Sequence, residues 1–276
     1  SHYDNYFEFK TALAARAHLE VPVIAFPFMF VSLFGYLAGG VFLWSGFIFI
    51  LLVGFLGDGL LKADLSVGES ERSSWFLNLL LYLHLPLVLA IQVVFAWYLA
   101  LDDALGLGVF VNQQFGLDLF LARQQTSLWD LFGGVMTMGF VYGVASTNVA
   151  HELVHRVRHK PSVTYGRWLL GFTFDTSFSI EHVFGHHRRV STLEDPASAR
   201  RGESSWAFLY RSTKDSLISA WHIEKKRLQT KNKKVFSYHN VFLRGQLISL
   251  LYTLMYYYMA GPLGVFVFFL MAIYGK

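Results

Sequence analysis

Five histidines stand in two tight groups. The stretch "NVAHELVHR" holds His151 and His155, and "EHVFGHH" holds His182, His186 and His187. Two imidazoles at i and i+4 of a helix lie on one face, about 5–6 Å apart at Cβ, so both reach a single cation. His182 and His186 repeat that spacing, and His187 adds an imidazole from the next position. Glu152 lies on a neighbouring face, as a ligand or as a partner behind one. HExxH alone is ambiguous: it fits a zinc protease in which Glu152 is the general base, or a pair of histidines at the carbonyl end of a helix. The second group alters the balance. Five neutral imidazoles without a metal would be costly to desolvate and hard to satisfy. One tetrahedral zinc would not need them all, whereas two first-row metals would. With nitrogen ligands and no sulfur, two iron ions are the expected occupants.

The elements that must carry these residues are membrane-like. Of 276 residues 54% are hydrophobic, 17% aromatic and only 15% charged, and the mean hydropathy is +0.40. A soluble domain carries about a quarter charged residues. The apolar residues form blocks near Val21–Leu37, Val41–Phe55, Trp75–Leu101, Leu131–Val149 and Val241–Met259, and a sixth begins near Gly261. The pattern predicts an all-α, polytopic membrane bundle of about six transmembrane helices, since a span needs about 20 apolar residues. Residues 1–276 are read as one integral-membrane domain, with 151–240 as its histidine-box region. The block around Trp168–Ile180 is too short to span and reads as an interfacial or half-buried helix. The chain has no cysteine, which excludes disulfides, iron–sulfur clusters and thiolate sites. No cleavable signal peptide is read at its start.

Charge sets the expected orientation. Residues 151–240 hold sixteen of the 23 Lys and Arg, whereas 102–130 has only Arg123 against four acids. By the positive-inside rule the histidine region is expected to face the cytoplasm. The net charge of +4 is thereby a matter of topology, and nucleic acid is not an expected partner. The basic run "EKKRLQTKNKK" suits anionic lipid headgroups or an acidic electron carrier.

Taken in order, "TNVAHELVH", "EHVFGHH", "EDPASARRGES" and "SAWHIEKKRL" resemble the membrane-bound alkane 1-monooxygenase (alkane hydroxylase) family. That family shares its histidine boxes with membrane fatty-acid desaturases and with the xylene monooxygenase hydroxylase component. The resemblance extends to the aspartates of "GDGLLKADLS". It implies a diiron enzyme that uses O2 to hydroxylate the terminal carbon of an alkane, with electrons from rubredoxin or a ferredoxin-type reductase. His151, His155, His182, His186 and His187 would be iron ligands. The family's further boxes, of the types "NYxEHYG" and "HxxHH", do not occur in this sequence, so about half of the expected ligand set is present and the chain as given is expected to be weak or inactive.

Around this core stand lesser expectations. Glu181 and Asp195, with Asp175 and Glu194, read either as carboxylates that orient imidazole N–H groups or as stabilisers of the loops they lie in. Trp44 and Phe55 are candidate substrate contacts. His159 reads as surface, His18, His222 and His239 as interfacial, and His84, inside the third span, as functional or as one interhelical hydrogen bond. The rival functions are a desaturase or fatty-acid hydroxylase, a zinc protease, and a non-catalytic metal-binding membrane subunit.

Overall fold

The computed structural model of the chain describes residues 25–60 and 74–276, and every regular element among them is helical. His18 and most of "GDGLLKADLS" lie outside the described residues. The chain divides into two compact units, one built from the described residues up to Val149 together with Leu254–Lys276, the other from Ala150–Thr253.

In the first unit the apolar blocks become α1 (Ala25–Ala38), α2 (Ser45–Leu60), α3 (Ser74–Leu99) and α6 (Leu128–Phe140). Between α3 and α6 lie two short helices, α4 (Leu107–Phe115) and α5 (Leu119–Gln124). From α6 the chain continues through a π-helical segment, Val141–Thr147, into α7 (Asn148–His155). Four helices among the described residues are long and apolar enough to cross a membrane: Gly40–Gly57, Asn78–Leu99, Leu128–His155 and Val241–Tyr274. The number differs from the six blocks of the sequence for two reasons. The described part of α1 is short of a span, and the last two blocks form a single element, α12 (Val241–Tyr274). That element is broken, not continuous: Gly261 sits at φ 60° before Pro262, a conformation open to glycine ahead of a residue that donates no hydrogen bond.

Small residues let these spans approach closely, as membrane packing requires. Gly133 lies under the Trp44 ring and Gly134 under Phe95. Side-chain hydroxyls then tie backbone to backbone. Tyr36 donates to the Gly134 carbonyl at 2.7 Å and Tyr98 to that of Tyr36 at 2.6 Å. Thr137 donates to the Leu43 carbonyl at 2.8 Å and accepts from the Phe47 N–H. The start of α6 is fixed by a capping box between Ser127 and Asp130, which satisfies amides that a helix start leaves unpaired.

The second unit contains α8 (Lys160–Leu170), α9 (Phe178–Glu181), a second π-helical segment at His182–His186, α10 (His187–Arg189) and α11 (Ser205–Thr230). His159 is exposed and caps α8, its ring accepting from the Ser162 N–H. The expected half-buried helix near Trp168–Ile180 is split, since α8 ends in a 3-10 turn at Gly171–Thr173 and Phe174 takes a left-handed φ of 54°. The loop "EDPASARRGES" is held from both ends. Arg211 of α11 grips Glu203 through two hydrogen bonds and donates to the Pro196 and Ser198 carbonyls.

Candidate metal centre

Three imidazoles meet in the second unit. The Nε2 atoms of His151 and His182 are 2.7 Å apart, and that of His155 is 3.1 Å from each. They are the one histidine or acidic group among the described residues with ligand atoms close enough to hold a metal ion. The Nε2 of His187 lies 3.0 Å from that of His182. Nitrogens bound about 2.1 Å from one first-row ion stand roughly 3.0 Å apart at right angles and about 3.4 Å apart at tetrahedral angles. The separations among His151, His155 and His182 therefore fit three ligands turned toward a single cation, with His187 adjoining the group through His182, and imidazole nitrogens suit iron, zinc or copper.

The second box does not have the geometry that its spacing suggests. His182–His186 is π-helical, with hydrogen bonds from i to i+5, so residues five apart come to one face. His187, not His186, is the imidazole that approaches the His182 Nε2. The His186 ring instead stacks beside His182, with centroids 5.4 Å apart, and its Nδ1 lies 2.9 Å from Asp195 Oδ2. A carboxylate only accepts, so Nδ1 carries the proton and Nε2 is the nitrogen left to bind a cation. Asp195 is almost wholly buried. Burial pushes its carboxyl up, but hydrogen bonds from Ser198, His186 and the Ala197 N–H outweigh it and hold the group below the usual carboxylate range. Replacing Asp195 with Asn frees His186 to turn over, and divalent-ion affinity should fall about tenfold or more, as for other partners that orient metal-binding histidines; a Co2+ titration followed in the visible range measures it.

Of the other expected site residues, Glu152 pairs with Arg156 at 3.0 Å. Glu181 orients no imidazole. It is buried, pairs with Arg189 at 2.7 Å and lies against Gly185, while Arg189 also donates to Ser219 of α11 at 2.8 Å. Trp44 packs among Phe47, Trp129 and Phe132, and Phe55 is 76% exposed in an apolar stripe of α2 with Ile48 and Leu52. His84 is fully buried in α3, its Nδ1 on the Leu80 carbonyl and its ring edge-on to Phe26. His222 and His239 are exposed. Two positions escaped the sequence reading: Phe178, stacked on His182 with centroids 4.4 Å apart, and Arg189. The only signal for either was adjacency to the second box.

Burial, with the neighbouring imidazoles of His151, His187, His155 and His186, lowers the His182 pKa from 6.5 to about 3. His182 is therefore neutral, the form that binds metal, at any physiological pH. The unfolded chain takes up this proton near pH 6.5 while the folded chain resists it, so the stabilisation is complete above about pH 6.5 and lost progressively as pH falls toward 3. The metal-free protein should show a melting temperature that declines steadily from pH 7 to pH 5, and His182→Asn should flatten that slope.

Comparison with known proteins places these features. Residues 126–275 match the fatty acid desaturase family. Alkane 1-monooxygenase 1 of Pseudomonas aeruginosa is 36% identical over 152 residues, 55% of this chain and 39% of that protein. Alkane 1-monooxygenase 2 of Alcanivorax borkumensis is 34% identical over 183 residues, 66% of this chain and 44% of that protein. The xylene/toluene monooxygenase hydroxylase component XylM of Pseudomonas putida is 28% identical over 233 residues, 84% of this chain and 56% of that protein. The matched stretch thus spans about half or less of each of these relatives.

Proposed function

Because this chain belongs to the fatty acid desaturase family, we propose that it acts as a membrane monooxygenase that hydroxylates the terminal carbon of a medium- or long-chain alkane. The observation that carries this reading is the convergence of the His151, His155 and His182 Nε2 atoms, joined to the similarity to alkane 1-monooxygenases.

His151, His155, His182 and His187 would hold one iron, and His186 would present its Nε2 to a second. When bound, the pair of irons supplies the activation of O2, of which one oxygen atom enters the C–H bond and the other leaves as water. The two electrons come from rubredoxin or a ferredoxin-type reductase. The chain's own residues perform the positioning. Asp195 keeps the proton on His186 Nδ1, Phe178 fixes the plane of His182 by stacking, and burial keeps His182 unprotonated. An alkyl substrate offers no polar handle, so its binding comes from burying methylenes, at about 0.8 kcal/mol each. Residues 151–240 form the cytoplasmic face of one hydroxylase domain in the inner membrane, an orientation supported by their sixteen Lys and Arg.

The match to XylM along most of the chain favours one second reading, a hydroxylase of methyl groups on aromatic rings. Iron content per chain, with octane and xylene oxidation driven by a supplied rubredoxin system, tests both. Iron with 1-octanol supports the first, and iron with a benzylic alcohol the second. Stoichiometric zinc in place of iron would refute both, and an alkene product would identify a desaturase.

A further inference from the structure

The turn that joins α11 to α12 has a form that catalysis does not explain. Phe236 and Tyr238 are 79% and 77% exposed, although the turn is tightly built. Glu224, buried, takes two hydrogen bonds from Arg227 and one from the Val241 N–H at 2.6 Å. Arg227 also donates to the His239 carbonyl, and Asn240 caps α12 through the Leu243 N–H. Two neighbouring aromatics this exposed on a well-braced turn form an apolar patch of the kind that marks an interaction surface.

Their depth identifies that surface. Along α12, Leu247, Leu250 and Leu251 are exposed and mark where the span meets lipid hydrocarbon. Arg244 lies one turn earlier, and its guanidinium covers the Tyr238 ring at 4.9 Å. At 1.5 Å per residue, Leu247 and Val241 are separated by about 9 Å, close to the thickness of a headgroup layer of roughly 5–8 Å. The turn therefore sits at headgroup level. Its charge is of one sign: from 225 to 253 there is no Asp or Glu, while Lys231, Lys233 and Lys234 stand in the turn itself and Lys225 and Lys226 precede it. Aromatic rings at the interface together with lysines match an acyl boundary topped by phosphate.

We propose that the Lys231–Tyr238 turn is a binding site for anionic phospholipid, with Phe236 and Tyr238 seated among the upper acyl chains and Lys231, Lys233 and Lys234 on the phosphates. The site holds whatever reaction the histidines support. It fixes the depth at which α12 enters the bilayer, and the Glu224–Arg227 pair transmits that anchorage to α11.

The full chain, reconstituted in nanodiscs of phosphatidylcholine with or without phosphatidylglycerol, tests this. Acetylation of Lys231, Lys233 and Lys234 should slow severalfold when phosphatidylglycerol is present, while the exposed Lys160 and Lys214 react unchanged. In native mass spectra the protein should retain phosphatidylglycerol over phosphatidylcholine. The triple variant K231Q/K233Q/K234Q should lose about a hundredfold of that preference, given about 1 kcal/mol per lysine. Equal labelling in both lipids would overturn the proposal, as would retention that the triple variant leaves intact. So would protection of these lysines by a soluble acidic polypeptide but not by phosphatidylglycerol.

Discussion

His182→Ala should leave the protein unable to retain a metal ion, with the largest loss of any single histidine replacement. The Nε2 of His182 is the common vertex of the centre, lying 2.7 Å from that of His151, 3.1 Å from that of His155 and 3.0 Å from that of His187. Apparent binding energies of about 10–16 kcal/mol for protein zinc sites, shared among four ligands, give about 3 kcal/mol each, or roughly a hundredfold in affinity. Removal of the hub costs at least that, because His187 loses its nitrogen contact to the cluster and only the His151–His155 pair, 3.1 Å apart, stays together. Phe178 also loses its stacking partner, so its ring is free to move into the space. Metal content after dialysis and the visible spectrum of the Co2+ form are the measurements. His222→Ala, which alters an exposed histidine outside the cluster, should leave both unchanged. Wild-type metal content in His182→Ala would remove the basis of the assignment.

Gly185→Ala should be nearly as damaging although it touches no imidazole. A Cβ at Gly185 would collide with both carboxylate oxygens of Glu181. That carboxylate has nowhere to go: it is 4% exposed and held by Arg189, which is anchored in turn on Ser219. The π-helical turn must then open, carrying His186 away from Asp195 and His187 away from His182. Overpacking of this kind costs about 1–3 kcal/mol in stability, and the displaced ligands should weaken Co2+ binding about ten- to a hundredfold. The double replacement Gly185→Ala with Glu181→Ala restores the missing space and should recover part of the Co2+ affinity lost by Gly185→Ala alone. If the double variant is as weak as the sum of the single ones, the clash is not the cause. Arg189 belongs to the same clamp, which gives α11 a role in holding the second histidine box.

The sequence by itself determined the membrane character, the all-α class and the first histidine pair. Blocks of apolar residues have few alternatives to spanning helices, because in lipid every backbone amide must be satisfied within its own segment. The i, i+4 spacing of His151 and His155 fixes their shared face wherever the helix forms. Asp195 was legible as a carboxylate near the boxes, and the structure gives it the His186 Nδ1 contact. The tertiary structure alone decided how the second box is used. Its π-helical turn exchanges the partners of His182, so that His187 faces the hub and His186 turns to Asp195. Nothing in "EHVFGHH" announces that change of pitch, since it arises where Glu181, Arg189 and Ser219 close around a residue without a side chain. Spacing fixes which residues share a face only once the helix type is known, and here the π-helical turn packs against α11, an element some twenty residues further along the chain.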